Sequence, residues 1–151
     1  MDTSAFNQLN LTLKNLATGI DSNVLQGLTI AGITVQDAAR NIVPIDTGEL
    51  RKSIQSVVSQ MTGGATATIT ANEPYAADVE YGTPPGRYVS LQALMGWAMR
   101  HGVNPYAVSK SIFKKGTRAQ PYLIPAFNAN TDTIVAIIGQ AIKNALSEVS
   151  S

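Results

Sequence analysis

The chain has no cysteine. Disulfides, thiolate nucleophiles and cysteine-based zinc sites are therefore excluded. Histidine occurs once, as His101, and with no second histidine and no cysteine it makes a poor metal ligand. A single imidazole with only Ser, Thr, Asp and Glu around it does not supply a nucleophile–base pair. Asp78 and Glu80 invite comparison with paired acid–base carboxylates, but two residues apart on a helix they do not face each other. The expectation is a non-enzyme with no catalytic residue, no metal site and no cofactor.

Charge is also scarce. Charged residues make up 14% of the chain, against about 25% in typical soluble proteins. Ser, Thr, Asn and Gln fill the deficit, which fits a protein that buries surface against neighbours. No apolar run approaches the ~20 residues that span a bilayer. The start, Met1-Asp2-Thr3-Ser4, lacks the basic region and apolar run of a signal peptide. A soluble protein made in the cytoplasm, without membrane contact, is expected. Acids are missing between Tyr81 and Thr131, where Arg87, Arg100, Lys110, Lys114, Lys115 and Arg118 lie. With a net charge of +1 overall, this local basic face suits an acidic partner or a phosphate backbone, or simply solvent.

What is present is enough for one domain: 151 residues, 44% of them apolar. Phe6, Leu9, Leu13, Leu16 and Ile20 fall at helical spacing, as do Val24, Leu28, Ala31, Val35, Ala38 and Ile42. Two helices, or one bent helix, are predicted over about residues 4–42. Pro44 disfavours helix at Val43 and stops the run. Asp46 and Glu49 form a capping-box-like pair that would restart a short helix, and Gly48 permits an unusual dihedral. Residues 54–61 read as a strand, with helical spacing of Leu50, Ile54, Val57 and Met61 as the competing pattern. Thr62-Gly63-Gly64 is a hairpin turn signal. In residues 65–71 threonines alternate with alanines and Ile69, so a second strand with a threonine face is predicted. The edges of so small a sheet invite pairing with another subunit.

Pro74 to Gly82 reads as a short helix, with Pro74 at its first position. Ser90 caps a helix over 91–100, and Asn104-Pro105 starts another through about Lys115, which Gly116 ends. This pair resembles a helix-turn-helix, the basis of a competing reading as a nucleic-acid-binding module over residues 91–118. Its second helix opens with Tyr106-Ala107-Val108, however, where a recognition helix needs polar or basic residues. Trp97 and Met99 are expected in packing, and His101 at a helix C-terminus. Pro121 and Pro125 bracket an extended piece, readable as a short edge strand, with Pro125 as a possible first residue of the last helix. Ile134, Ile138, Ala141, Ala145 and Val149 give that helix its stripe, widened by Ile137, Ile142 and Leu146. The fold class is α+β: long N-terminal and C-terminal helices packed on a small antiparallel β-hairpin, with a helical insert at 84–115 inside a single domain over residues 1–151.

Three segments carry a family resemblance over about residues 25–145. The first is Val43-Pro44-Ile45-Asp46-Thr47-Gly48-Glu49-Leu50-Arg51-Lys52-Ser53-Ile54. The second is Tyr75-Ala76-Ala77-Asp78-Val79-Glu80-Tyr81-Gly82-Thr83. The third runs from Gly116 through Thr117, Gln120, Pro121 and Pro125 to Phe127. In order and spacing they resemble the tailed-bacteriophage head–tail joining group, also called tail-completion or neck proteins, typified by a minor tail component of a lambdoid phage. The insert is a feature of only some members, and Ile124 stands where the group often has a basic residue. The resemblance implies a structural virion protein forming a ring, of six subunits or a multiple of six, at the neck between head and tail. It implies contacts with the tail terminator or tail tube on one side and the head connector, stopper or portal-side proteins on the other. Genomic DNA would pass through the lumen without sequence-specific contact.

Overall fold

The computed structural model describes residues 22–61 and 63–149. The part of the helical region expected over about residues 4–42 that precedes Ser22, and the side chain of Val149, lie outside these. In chain order come α1 (Ser22–Ile42), α2 (Glu49–Ser53), β1 (Ile54–Met61), β2 (Gly64–Ala71) and α3 (Ala76–Tyr81). Then follow α4 (Leu91–Arg100), α5 (Pro105–Lys115), α6 (Leu123–Ala129) and α7 (Thr131–Val149). The class is α+β, with one antiparallel hairpin in register from Ile54 opposite Ala71 to Met61 opposite Gly64. Among the described residues no helix is long and apolar enough to cross a membrane.

Helices α1 and α7 pack through small residues. Gly27, Ala31 and Val35 are buried on α1, and Ala141 and Ala145 on α7. A β-carbon on Gly27 would fall 2.5 Å from that of Ala141, so the two backbones meet there as closely as side chains allow. Ile134 packs against the core, Ile137 and Ile138 are half-buried, and Ile142 and Leu146 on the widened stripe are exposed.

The competition between strand and helix after Ser53 resolves to strand. Ile54, Ser56 and Val58 turn inward toward α1, while Gln55, Val57 and Ser59 turn out. On β2, Thr66 and Thr68 are exposed and Ala67 and Ile69 are half-buried, which is the predicted alternation. The free edge of β1 is not wholly open. Arg40 on α1 donates from Nε (3.1 Å) and Nη2 (2.6 Å) to the Ile54 carbonyl. The Ser56 amide donates to Gln36 Oε1 at 2.8 Å. Two α1 side chains thus occupy the first edge positions that a neighbouring strand would need.

Two predicted ends shift. Pro74 lies in the turn before α3, which begins at Ala76. The 121–125 piece is not a strand: α6 starts at Leu123 and holds Pro125 at its third position. Asn130 then separates α6 from α7, so the last helical run is two helices.

The insert forms a helical hairpin. The Ser90 hydroxyl accepts from the Ala93 amide at 3.2 Å, and Asn104 Oδ1 from the Tyr106 amide at 2.9 Å. Pro105 opens α5, and Gly116, at φ 71°, closes it. Helices α4 and α5 pack chiefly on each other.

Candidate functional site

The three resembling segments converge on one hub. From the first come Val43, Leu50 and Ile54, from the second Ala76, and from the third Tyr122 and Ala126. Val35 and Ala39 of α1 complete this buried cluster. Each segment therefore owes its pattern first to packing.

A carboxylate sits inside the hub. Glu80, near the end of α3, is 4% exposed. Its Oε2 accepts from the amides of Tyr122 (2.7 Å) and Leu123 (2.9 Å), and its Oε1 from that of Ile124 (3.0 Å). The next residue, Pro125, has no amide hydrogen to satisfy. The first turn of a helix leaves about four N–H groups without intrahelical partners. Here Glu80 takes three and proline removes the fourth. The first helical bond, from the Ala126 amide to the Tyr122 carbonyl at 3.3 Å, follows at once. No cation forms an ion pair with Glu80 among the described residues. Its charge is compensated by the amides and by the positive end of α6. This is a structural cap made between two distant segments, and it ties Glu80 to the Pro121–Pro125 stretch.

Around the cap the second and third segments are sewn together. The Gln120 amide donates to the Val79 carbonyl at 2.8 Å, while its side chain lies in an exposed residue. Thr83 and Thr117 form an isolated antiparallel bridge, with the Thr117 amide on the Thr83 carbonyl and the Thr83 amide on the Thr117 hydroxyl, both at 2.8 Å. Gly82 and Gly116 flank the bridge at φ 74° and 71°. A β-carbon on Gly82 would stand 2.6 Å from the Thr117 carbonyl oxygen, and one on Gly116 would collide with the Thr83 carbonyl. Tyr122, fully buried, has its hydroxyl pushed up to about 12 by burial and by the charge of Glu80. Tyr75, half exposed at the edge of the hub, is raised by burial first and then by Glu73.

The first segment corrects one expectation. Asp46 does not cap α2. The N-cap is Gly48 at φ 84°, with no side-chain bond. The nearest side-chain contact there is from the Glu49 amide to the Thr47 hydroxyl at 3.4 Å. Asp46 instead pairs with Arg100 at the end of α4, and this contact holds its carboxyl below the usual range and raises the guanidinium. Pro44 is half-buried behind the stop of α1, and Arg51 is exposed.

The basic residues do not form one patch. Arg87 pairs with Asp78, and Arg100 with Asp46. Lys110, Lys114, Lys115 and Arg118 are exposed and form no ion pair among the described residues. Trp97 and Met99 are exposed rather than packed, and Ala98 is the buried residue between them. The Trp97 ring stacks on His101, with centroids 4.3 Å apart. His101 ends α4, as expected, with Nδ1 2.9 Å from the Trp97 carbonyl. No group of three or more His, Cys, Asp or Glu able to hold a metal occurs among the described residues. A shallow open depression lined by Asp37, Arg40, Asn41, Arg51 and Lys52 separates α1 from α2.

Sequence reading missed the burial of Glu80 and the edge contacts of Gln36 and Arg40. A signal for the first was present: Glu80 lies four residues after Ala76, on the helix face that is otherwise apolar. No curated protein and no solved structure matches the chain. Residues 7–82 match the family described as "Bacteriophage HK97-gp10, putative tail-component", a span that covers the first resembling segment and all of the second but Thr83, and ends before the insert. The match takes in half of the sequence, and the chain belongs to this HK97-gp10-like family of phage tail components, structural proteins of the virion.

Proposed function

We propose that the protein is a neck protein that joins the head connector to the tail, assembled as a ring of six subunits or a multiple of six. The observation that carries this reading is the surface. Twenty-one large apolar side chains among the described residues are exposed, including Tyr81 at 70% and Met99 at 75%. They stand among uncharged polar residues, since only 14% of the chain is charged. Exposed apolar area on this scale marks contact surfaces. Family membership supplies the setting, and the hub supplies a rigid frame whose one buried carboxylate is fully engaged as a helix cap.

In this reading the partners are the tail terminator or tail tube on one side and the head connector, stopper or portal-side proteins on the other. The protein works at the neck of the virion after synthesis in the host cytoplasm, and it is not an enzyme. DNA passes through the lumen without base contacts, because a duplex that must slide cannot be gripped.

The test is electron microscopy of particles from a phage lacking the protein. Separate heads and tails are expected, with joining restored when purified protein is added. Normally joined particles without it would overturn the proposal.

A further inference from the structure

We propose that the exposed face of α5 is a sequence-independent contact for the phosphate backbone of duplex DNA. This deepens the neck reading, on which it rests for the presence of DNA, by naming the surface that meets the duplex. From Tyr81 to Thr131 the chain has six cations and no acid. The structure divides the six. Arg87 and Arg100 are spent within the copy, on Asp78 and Asp46. Lys110, Lys114, Lys115 and Arg118 lie together on α5 and just beyond it, exposed and without an ion pair among the described residues. Val108, Ser109 and Ile112 form the inward side of α5, and Ser109 is tied to the Val89 carbonyl at 2.8 Å. The outward side carries Ala107, Lys110, Ser111 and Lys114, at the spacing of one helix face. Only cations and small residues stand there.

That composition selects the partner. Protein interfaces are depleted in lysine and built on aromatic and apolar anchors, which this face lacks. Phosphate contacts need only positive charge on reaching stems. Lys110 and Lys114 are about 6 Å apart along the helix axis, and a duplex carries one charge per about 1.7 Å of its own axis, so several phosphates fall within their reach. Tyr106, exposed one turn before Lys110, adds a hydroxyl donor to the row. Base reading would need polar or basic residues at the start of α5, where Tyr106, Ala107 and Val108 stand. Phosphates are alike along the duplex, so such contacts hold DNA in no preferred register and let it slide. Lys114 and Lys115, in the last turn, also offset the dipole of α5. Lys110, in the middle of the helix, and Arg118, beyond Gly116, have no such use.

Those two residues therefore carry the test. Binding of a fluorescently labelled duplex of mixed sequence to the purified full-length protein is followed through a salt series. A slope of log affinity against log salt of about −3 to −4 is expected for four phosphate contacts, the same for unrelated sequences. Lys110→Gln with Arg118→Gln should weaken binding at low salt and flatten the slope by about two, with thermal unfolding unchanged. Lys143→Gln, at an exposed position of α7, is the control and should change neither. No binding at low salt, or a slope that the double variant leaves as it was, overturns the proposal without touching the neck reading, which rests on joined particles. In those particles Lys110→Cys, the only cysteine of the chain, carries a photoreactive maleimide. A crosslink to DNA is expected. A crosslink to another virion protein, or none, overturns the proposal and leaves the neck reading standing. Particles that join without the protein overturn the neck reading, and the salt series then decides the surface by itself.

Discussion

The hub and the insert solve opposite problems with the same amino acids. In the hub, Leu50, Ile54, Ala76, Tyr122 and Ala126 are buried, and the one carboxylate has three amides on it. In the insert, Leu91, Met95, Trp97, Met99 and Tyr106 are exposed, and Arg87 and Arg100 hold the body through pairs at the surface. Burial is strong and insensitive to salt, while exposed ion pairs contribute little and are screened. The hub is therefore the part that must fold, and the insert is the part left free to meet something else. Stability should track the first and assembly the second.

The sharpest way to break that division is at Glu80. Glu80→Ala leaves three amides at a buried helix start without an acceptor, at an expected cost of about 3–5 kcal/mol. Glu80→Gln keeps one carbonyl oxygen but turns an amide NH2 toward an N–H, so it should fall between. Thermal or urea unfolding reads both. A loss below about 1 kcal/mol for Glu80→Ala would mean that water replaces the carboxylate and that the cap is not structural.

Glycine substitutions compare the regions at constant chemistry. Gly82→Ala meets both a positive φ and the Thr117 carbonyl, so about 2–4 kcal/mol is expected. Gly86→Ala, at φ 88° in the insert, meets no atom within 4 Å, so only the conformational cost of about 1 kcal/mol remains. Equal losses in unfolding experiments would show that the Thr83–Thr117 bridge gives way easily.

Alkaline titration probes the hub when the protein is compared with Tyr122→Phe, which cancels what the insert contributes. The folded state raises the Tyr122 hydroxyl from 10.0 to about 12. A group whose folded value is raised contributes stability that is complete below pH 10 and lost as pH rises toward 12. Stability should fall across that window, and less steeply in Tyr122→Phe. Identical pH profiles for the two proteins would show that Tyr122 does not carry the effect.

Much of this was legible in the sequence, and the exceptions share a cause. Helix limits followed from local chemistry: Pro44 after α1, Ser90 before α4, Asn104-Pro105 before α5. The hairpin followed from the threonine alternation and its glycine turn. Asp46 was misassigned because a capping box is a local pattern, and its carboxylate is claimed by Arg100, 54 residues away. Glu80 was passed over for the same reason, since its amides lie 42 to 44 residues on. Trp97 and Met99 look like core residues to any rule based on hydrophobicity alone, yet in this chain they are surface. Nothing local distinguishes an apolar residue meant for its own core from one meant for a partner.

The smallest effect tests the joint between the two regions. Asp46 and Arg100 are both exposed, and the ion pair they form links the loop between α1 and α2 to the end of α4. Arg100 holds the Asp46 carboxyl below its ordinary 3.8. A depressed acid contributes stability that is present above pH 3.8 and is lost as pH falls through the lower folded value. At neutral pH, Asp46→Asn should therefore leave global unfolding almost unchanged, as surface pairs usually do. Its consequence belongs to the insert. Without the pair, α4 keeps its packing on α5 but loses its tie to the body at Arg100, and amide exchange in α4 should quicken while exchange in α1 and α7 stays slow. Salt should reproduce the effect in the unaltered protein by screening the same pair. If exchange quickens equally in α1, the insert and the hub unfold as one unit, and the division between a part that folds and a part that assembles is lost.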